Sequence, residues 1–297
     1  MSDQIQLPGL KLLQKVGEGG MATVWKAWDE SRGGIVAVKI LNAEYSHDGS
    51  ALRQFREEER MMEEIHHEGI VEAYDFDSSG NRWHYTMEFV DGYTFAALLK
   101  RKQHVREEDC ILICESVAAA LAYVWDQHGI VHCDLKPENI MINSEGVIKL
   151  TDLGISHRFQ ELESPKEVPD HILGTPAYIS PEQVYGDVEL DCRADIYGLA
   201  ATLYHLATGR LLFPGTDNDL IMRHHCDESA QAKDPRLYRP ELSDGFCQLL
   251  ETMLVKNRDF RIATWQEVFR LCRDAEDGKP LPVRDRTAAA SSLKLRG

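Results

Sequence analysis

The sequence changes character at Asp91 and Gly92, and this change limits the fold more than any other feature. Before it, runs rich in β-branched and aromatic residues alternate with turn residues, which predicts strands at 10–16, 23–28, 35–41, 70–77 and 83–90. Apolar residues at helical spacing predict one helix there, at 50–66, and then core helices at 109–128, 191–208 and 245–255. The sequence therefore indicates an α+β fold with a small strand-rich lobe and a larger helical lobe. A cleft between such lobes is a natural ligand site.

Composition and charge limit the class of partner. The 297 residues are enough for a substantial buried core. Acidic side chains outnumber basic ones by 49 to 33, which gives a formal net charge of −16. Because nucleic-acid binding depends on a basic surface that displaces counterions, this balance argues against a nucleic-acid partner. It favours the approach of basic peptides.

The cysteines and the N-terminus bear on the compartment. The seven cysteines are scattered and lack a C-x-x-C pair, so they do not have the pattern of a disulfide framework and fit a reducing cytoplasm. Residues 1–4 lack the features of a signal peptide, and no apolar run reaches the roughly 20 residues that span a bilayer. We therefore expect a cytoplasmic protein without a membrane segment.

A glycine-rich turn at 17–24 lies between the first two predicted strands. Glycines in such a turn let the backbone approach phosphates and point amide hydrogens at them, although a plain hairpin explains the turn equally well. A Rossmann turn is excluded because a strand follows, and a P-loop is excluded because no Gly-Lys-Ser/Thr ends the turn.

Lys39 ends an apolar run, so its burial requires an anionic partner. One candidate is a phosphate held at the 17–24 turn, and the other is a carboxylate on the following helix. Glu58 is the best placed of three consecutive glutamates, and we expect Glu57 and Glu59 to lie on the solvated face of that helix.

The segment 132–139 places three polar groups in a loop that Pro137 stiffens. Asp134 can accept a proton from an attacking hydroxyl, Lys136 can neutralise charge on a transferred phosphoryl group, and Asn139 can ligate a metal. Asp152, which follows a predicted strand at 147–150, supplies a second metal-ligating side chain. Phosphoryl transfer requires mainly positioning, metal ions and positive charge on the phosphate oxygens.

With these segments in this order, the chain resembles the eukaryotic-type (Hanks) protein kinases over about 10–272. It is most similar to the bacterial serine/threonine kinases, through Gly-Gly-Met-Ala at 19–22 and the segment 174–182. The resemblance implies an N-terminal extension at 1–9 and a bilobal kinase domain at 10–275. Within it, the N-lobe covers 10–87, the hinge 88–92 and the C-lobe 93–275. Residues 276–297 are rich in Pro, Arg, Ala and Ser, and we expect a poorly ordered tail.

The resemblance also implies site residues. The catalytic set is Asp134 as base, Lys136 and Lys39 on phosphates, Glu58 paired with Lys39, and Thr175 supporting the catalytic loop. ATP would contact Gly17, Glu18, Gly19, Gly20, Met21, Ala22, Val24, Ala37, Lys39, Met87, Glu88, Val90 and Met141. The metal ligands would be Asn139 and Asp152, with Mg²⁺ as the expected ion and Mn²⁺ as the alternative. Three further residues would be structural, namely Asp195 as anchor of the catalytic loop and Glu182 paired with Arg261.

The implied function is ATP-dependent phosphorylation of Ser or Thr hydroxyls on protein substrates, including autophosphorylation. Lys136 together with Gly174 and Thr175 is the pattern of Ser/Thr rather than Tyr kinases. Glu138 and the acidic surface favour basic residues near the target hydroxyl. Dimerisation is a further option that the resemblance leaves open.

The sequence departs from the family pattern at several positions. Ala22, Leu153 and Ser180 are mild replacements. Cys133 stands where regulated kinases carry an arginine that clamps a phosphorylated residue, and the loop 156–173 offers only Ser156 and Ser164 as hydroxyls. We therefore hypothesise that activity does not depend on phosphorylation of this loop. A buried filler role for Cys133 is favoured over a redox-sensitive thiol.

Two other functions fit the same fold. A kinase fold used only for binding usually lacks the lysine, the catalytic Asp or the metal Asp, whereas Lys39, Asp134 and Asp152 are all present. A small-molecule kinase usually lacks a peptide-positioning segment such as 174–182, which is present here. Both alternatives are therefore less favoured than a protein kinase.

Overall fold

The computed structural model describes residues 5–79, 82–152, 157–158, 174–187, 189–279, 281, 291–293 and 295. They form two compact units. The first extends to Gly92 and also contains Thr151 and Asp152, and the second contains the rest of the chain from Tyr93. The first is built mainly on a sheet and the second mainly on helices, which confirms the predicted α+β class.

The first unit is organised by a five-stranded antiparallel sheet. Its strands are β1 (Leu10–Glu18), β2 (Ala22–Asp29), β3 (Gly34–Leu41), β4 (Ala73–Ser79) and β5 (Arg82–Glu88), in the spatial order β1-β2-β3-β5-β4. Val36, Val38 and Ile40 alternate along β3 and join one buried cluster with Ala27 and Leu7, because successive side chains of a strand point to opposite faces. Lys39 lies between Val38 and Ile40 in the same strand, so its side chain points to the opposite face of the sheet.

One helix, α1 (Gly49–Glu63), packs against this sheet. It begins at Asp48, whose carboxylate accepts the backbone N–H groups of Ser50 and Ala51 and so satisfies two donors that the helix leaves unpaired. Its buried face includes Phe55, Glu58 and Met62, which are three and four residues apart and therefore lie on one side of the helix. Glu58 is thereby turned toward the sheet.

The second unit is mainly helical. Its helices are α2 (Phe95–Lys102), α3 (Glu107–His128), α4 (Pro181–Tyr185), α5 (Cys192–Thr208), α6 (Asn218–Cys226), α7 (Asp244–Met253) and α8 (Trp265–Glu276). All residues of α5 except Arg193 and His205 are buried, so α5 forms the centre of the unit. Its N-terminal turn carries Asp195 beneath the 132–139 loop.

Short strands frame that loop. They are β6 (Gly92–Thr94), β7 (Ile130–Val131), β8 (Ile140–Asn143), β9 (Ile148–Leu150) and β10 (His157–Arg158), which form the three-stranded sheet β6-β8-β9 and the pair β7-β10. The 132–139 loop runs from the end of β7 to the start of β8, so both its ends are fixed by strands. No helix in the described part of the chain has the length and apolar character needed to cross a bilayer.

Residues 291–293, which fall in the segment expected to be a poorly ordered tail, are packed into the second unit. The Ser292 carbonyl accepts the Ala232 N–H at 2.7 Å, and the Ser292 N–H donates to the Leu254 carbonyl at 2.8 Å. Ser292 Oγ lies 2.7 Å from the Tyr197 hydroxyl, and Leu293 is only 1% exposed. Ser292 and Leu293 are therefore buried in the second unit, and Ser292 contacts α5.

Candidate active site

Lys39 lies between two carboxylates in the first unit. Its Nζ donates to Glu58 Oε1 at 2.5 Å and to Asp152 Oδ1 at 3.0 Å. The strand register places Lys39 opposite Tyr85 of β5, and the Tyr85 hydroxyl donates to the same Glu58 oxygen at 2.7 Å. The structure therefore brings together Lys39, Glu58 and Asp152, three residues that the sequence assigned to one site.

The acidic groups around Lys39 stabilise its positive charge. Burial alone would lower the pKa of its ammonium group, but the acidic groups of Tyr85, Glu58 and Asp152 outweigh that effect and raise the pKa well above its usual range. The Glu58 side chain is 2% exposed, whereas that of Asp152 is 44% exposed. Lys39 is thus a fixed cation with one buried partner and one partner that is open to solvent.

The neighbouring glutamates differ from the sequence prediction. Glu57 is exposed, as expected. Glu59 is only 6% exposed, so its predicted place on a solvated face is wrong, and burial raises its pKa. The reason is geometric, since Glu58 and Glu59 are adjacent on α1 and lie on the two sides of its buried face, beside Phe55 and Met62.

The glycine-rich turn closes β1 onto β2. The Gly19 N–H donates to the Ala22 carbonyl at 2.8 Å, which makes a tight connection. A Cβ on Gly20 would meet no atom within 4 Å, and the Gly20 φ does not lie in the left-handed region. Neither conformation nor internal packing therefore requires glycine at this position.

Further residues expected to contact ATP lie on the neighbouring strands. Ala37 and Met87 face each other across β3 and β5 and are 5% and 7% exposed. Val90 is 7% exposed, and the Glu88 N–H is already used by the Glu72 carbonyl at 2.8 Å. Met141 lies on β8 in the second unit and is half-buried.

The Asp134 carboxylate of the 132–139 loop is held from two sides. Its Oδ1 accepts the Thr175 N–H at 3.0 Å and the Thr175 hydroxyl at 2.6 Å. Its Oδ2 accepts from Lys136 Nζ at 2.5 Å, and the same ammonium donates to Thr175 Oγ1 at 3.0 Å. The three side chains form a closed triangle, so the carboxylate has one orientation and a balanced charge.

Asn139 completes this loop. Its side-chain Nδ2 donates to the Asp134 carbonyl at 3.0 Å and lies 3.4 Å from Asp134 Oδ2. This orientation turns the amide oxygen, the atom that would ligate a metal, away from Asp134. Amide and carboxylate oxygens such as those of Asn139 and Asp152 are donors that Mg²⁺ and Mn²⁺ prefer, so these residue types fit the expected ion.

Asp195 anchors the loop backbone from below. Its two oxygens accept the His132 N–H at 2.7 Å and the Cys133 N–H at 2.9 Å, and the residue is 3% exposed. Burial raises the pKa of Asp195, and the two N–H donors partly oppose that shift. The anchoring role that the resemblance implied for Asp195 matches this geometry.

Two buried residues of the site environment escaped the sequence prediction. Tyr85 was missed because its place beside Lys39 depends on the register of β3 and β5, and its contact with Glu58 on where α1 packs, neither of which the sequence specifies. Gln183 was missed although a signal existed, because Ser180 and Gln183 have the spacing of a helix capping box. Leu153, Ser156 and Ser164 lie outside the described residues.

The sheet unit with Lys39 and the helical unit with Asp134 together define the protein kinase class. The sequence model of the protein kinase domain family matches residues 10–271, and the chain belongs to this family. It is 32% identical to the probable serine/threonine-protein kinase SCO3848 of Streptomyces coelicolor, over 95% of this chain and 42% of the relative.

Other curated relatives are of the same kind. The probable serine/threonine-protein kinase PknB of Bifidobacterium longum is 35% identical, over 86% of this chain and 38% of its own length. The serine/threonine-protein kinase PrkC of Bacillus subtilis is 31% identical, over 90% and 39%. The chain therefore spans about two fifths of the length of these relatives.

Proposed function

We propose that this chain transfers the terminal phosphoryl group of ATP to Ser or Thr hydroxyls of proteins, including its own. The observation that carries the proposal is the triangle of Asp134, Lys136 and Thr175. A carboxylate fixed in one orientation can accept the proton of an attacking hydroxyl. The serine/threonine kinase names of the relatives support the same reaction class.

The residues of this chain would divide the chemistry among them. Lys39 would hold the α- and β-phosphates, because its pKa keeps it charged throughout the accessible pH range. Asp134 would orient the substrate hydroxyl and take its proton, and Lys136, which already donates to Asp134, would neutralise charge on the transferred group. Asn139 and Asp152 would hold the divalent ion, which supplies positive charge to the phosphate oxygens when bound.

The binding-only alternative makes a different prediction. In it, Lys39 and Asp134 would serve structure alone, and their replacement would not change phosphate incorporation. The test is transfer of radiolabelled phosphate from ATP to a generic basic protein by the wild type, Asp134→Asn and Lys39→Met. We expect both variants to lose incorporation, and equal incorporation in all three proteins would remove the proposal.

The substrate class follows from charge. Glu138 is exposed beside Asp134, and the chain as a whole carries a formal charge of −16. We infer that substrates with Lys or Arg near the target hydroxyl are favoured, since opposite charge speeds encounter and fixes register. Peptides that differ only in flanking charge, compared at low and high salt, test this preference.

The cysteine pattern and the oligomeric state bear on where and how the protein acts. We infer a cytoplasmic site of action, which seven scattered cysteines without a C-x-x-C pair support. Dimerisation is tested by sedimentation of the purified chain over a range of concentrations, with a concentration-dependent mass as the positive result.

We also infer that phosphorylation of the 156–173 loop is dispensable for activity. Cys133 offers no positive charge to a phosphate, and its N–H and carbonyl are held by protein groups. Treatment with a phosphatase should therefore leave the rate unchanged. A collapse that is restored when Ser164 is rephosphorylated would contradict this inference.

A further inference from the structure

The backbone at Cys133 has a conformation that L-residues disfavour. Its φ is +67°, and only two other non-glycine residues in the described part of the chain, Gln103 and Asp152, have a positive φ. Left-handed backbone brings Cβ too close to the following carbonyl oxygen, so it persists where surrounding contacts hold it. Cys133 immediately precedes Asp134, so this conformation sets the direction in which the Asp134 side chain leaves the loop.

Two buried side chains hold the peptide groups of Cys133. The Asp195 carboxylate accepts the Cys133 N–H, with Oδ1 2.9 Å from the nitrogen. On the carbonyl side the holder is Gln183, whose Nε2 donates to the Cys133 oxygen at 2.8 Å from the first turn of α4. Gln183 is 6% exposed, so its amide has little access to water as an alternative partner.

The orientation of the Gln183 amide is fixed by its other end. Its Oε1 accepts the Ser180 N–H at 3.2 Å and the Ser180 hydroxyl at 2.9 Å. A flipped amide would place its oxygen against the Cys133 carbonyl and its NH₂ group against the Ser180 N–H, which gives two repulsive contacts. The Ser180 cap of α4 therefore aims Nε2 at the catalytic loop.

Gly174 packs directly on this hydrogen bond. A Cβ at Gly174 would lie 3.0 Å from the Cys133 oxygen and 3.0 Å from Gln183 Nε2, and its φ is +120°. The next residue is Thr175, which donates twice to Asp134. The contact between Gln183 and Cys133 thus fixes both the segment that carries Asp134 and the segment that carries its partner Thr175.

We propose that Gln183 is a positioning residue for Asp134, and that its amide locks the left-handed backbone of Cys133. The inference rests on the proposed phosphotransfer function. Gln183 does not touch the reacting atoms, and its effect passes through the peptide between Cys133 and Asp134. Its loss should therefore lower kcat and leave the KM for ATP nearly unchanged, because the phosphate-holding residue Lys39 lies elsewhere.

The first experiment replaces Gln183 by Leu, which keeps the approximate size and removes the three side-chain hydrogen bonds to Cys133 and Ser180. We expect kcat to fall roughly 10- to 100-fold, as for other small displacements of a catalytic group. The KM for ATP should stay within about twofold of the wild type. The matched control is Tyr185→Ala on the same short helix, where the side chain is 68% exposed and should be replaceable without this loss.

The second experiment separates positioning from a general loss of structure. Glycine accepts a positive φ without the steric penalty, so it needs the Gln183 clamp less than cysteine does. In a Cys133→Gly background, the fold decrease in kcat caused by Gln183→Leu should be about tenfold smaller than in the wild-type background. An equal factor in both backgrounds would overturn the positioning role.

A third variant covers the case in which Gln183→Leu does not fold. Gln183→Glu keeps the shape and the oxygen that faces Ser180, and its second oxygen can donate to the Cys133 carbonyl only when protonated. Its kcat relative to the wild type should therefore rise as the pH is lowered, and a flat ratio would count against the proposal. If the wild type is active and Gln183→Leu has the same kcat as Tyr185→Ala, the positioning role of Gln183 is overturned and the phosphotransfer function stands. If the wild type is as inactive as Asp134→Asn, the phosphotransfer function is overturned as well.

Discussion

Arg261 donates to both carboxylate oxygens of Glu182, at 2.6 and 3.0 Å, and the two side chains are 0% and 5% exposed. Arg261 also donates to three backbone carbonyls, those of Val255, Arg193 and Lys256. The pair therefore joins α4 to the N-terminal turn of α5 and to the 255–261 segment. Loss of this pair would leave several buried polar groups without a hydrogen-bond partner.

This arrangement predicts the order of three variants in unfolding experiments. Arg261→Met should lower the free energy of unfolding by about 3–5 kcal/mol or more, because it leaves a buried carboxylate and three carbonyls without their donor. Glu182→Gln should cost less. The double variant Glu182→Leu with Arg261→Met should not recover wild-type stability, since the carbonyls stay unsatisfied, and full recovery in urea denaturation would contradict this account.

Tyr85→Phe is expected to weaken the setting of Lys39. The change removes the hydroxyl that donates to Glu58 Oε1 and keeps the ring, which packs on Phe55 with centroids 5.1 Å apart. A hydrogen bond to a charged group contributes about 1.5–3 kcal/mol, so the KM for ATP should rise and the melting temperature should fall. Steady-state kinetics over a range of ATP concentrations measure the first effect.

The control for this variant is Tyr238→Phe, at a half-exposed tyrosine of the second unit whose side chain is 37% exposed. It makes the same chemical change at a position far along the chain from β5. If both variants had the same KM for ATP as the wild type, the Tyr85 hydroxyl would have no part in holding Lys39 and Glu58.

The sequence allowed the local features of this site to be predicted. The need of Lys39 for an anionic partner indicated Glu58 on the following helix, and the order of the polar residues in 132–139 indicated that Asp134 and Asn139 share one loop. Gln183 could also have been found, because a Ser180–Gln183 capping box is a local pattern.

Contacts between distant segments could not be predicted in the same way. Tyr85 lies opposite Lys39 through the register of β5 against β3 and meets Glu58 on α1, and Ser292 meets Tyr197 across 95 positions of the chain. A hydrophobic periodicity states which face of an element is buried but not which residue covers it. The burial of Glu59 was missed for the same reason, since it depends on where α1 lies on the sheet.

His225 predicts a pH dependence of stability. Its ring is fully buried, and its Nδ1 lies 2.7 Å from the Tyr197 hydroxyl. Burial, with the Lys256 charge as a smaller contribution, lowers its pKa to about 3. Because the folded pKa lies below the unfolded value of about 6.5, His225 contributes full stability above pH 6.5 and loses it progressively as the pH falls toward 3.

The size of this effect follows from the two pKa values. Between pH 6.5 and pH 5 the contribution should fall by about 2 kcal/mol. The stability difference between the wild type and His225→Gln should therefore shrink by that amount between pH 7.5 and pH 5. His84 and His205, whose pKa values are also lowered by burial, are shared by both proteins and cancel in the comparison. A difference independent of pH would show that His225 does not carry the effect.

Thr175 is expected to act on the rate rather than on stability. Its hydroxyl donates to Asp134 Oδ1 at 2.6 Å and accepts from Lys136 at 3.0 Å, so it connects the base with its cation. Thr175→Val keeps the shape and the backbone N–H but removes both hydroxyl contacts. We expect kcat to fall by roughly 10- to 100-fold, since Asp134 loses a fixed orientation and Lys136 loses one of its two partners.

Thr175→Ser separates the hydroxyl from the methyl group at the same position. It retains the oxygen that bridges Asp134 and Lys136, so its kcat should stay within several-fold of the wild type. The contrast between the two variants assigns the effect to the hydrogen bonds, because both remove little volume from a half-buried site. Equal kcat in Thr175→Ser and Thr175→Val would show that the hydroxyl contacts do not carry the effect. Asp134 would then owe its orientation to the Thr175 N–H and to Lys136 alone.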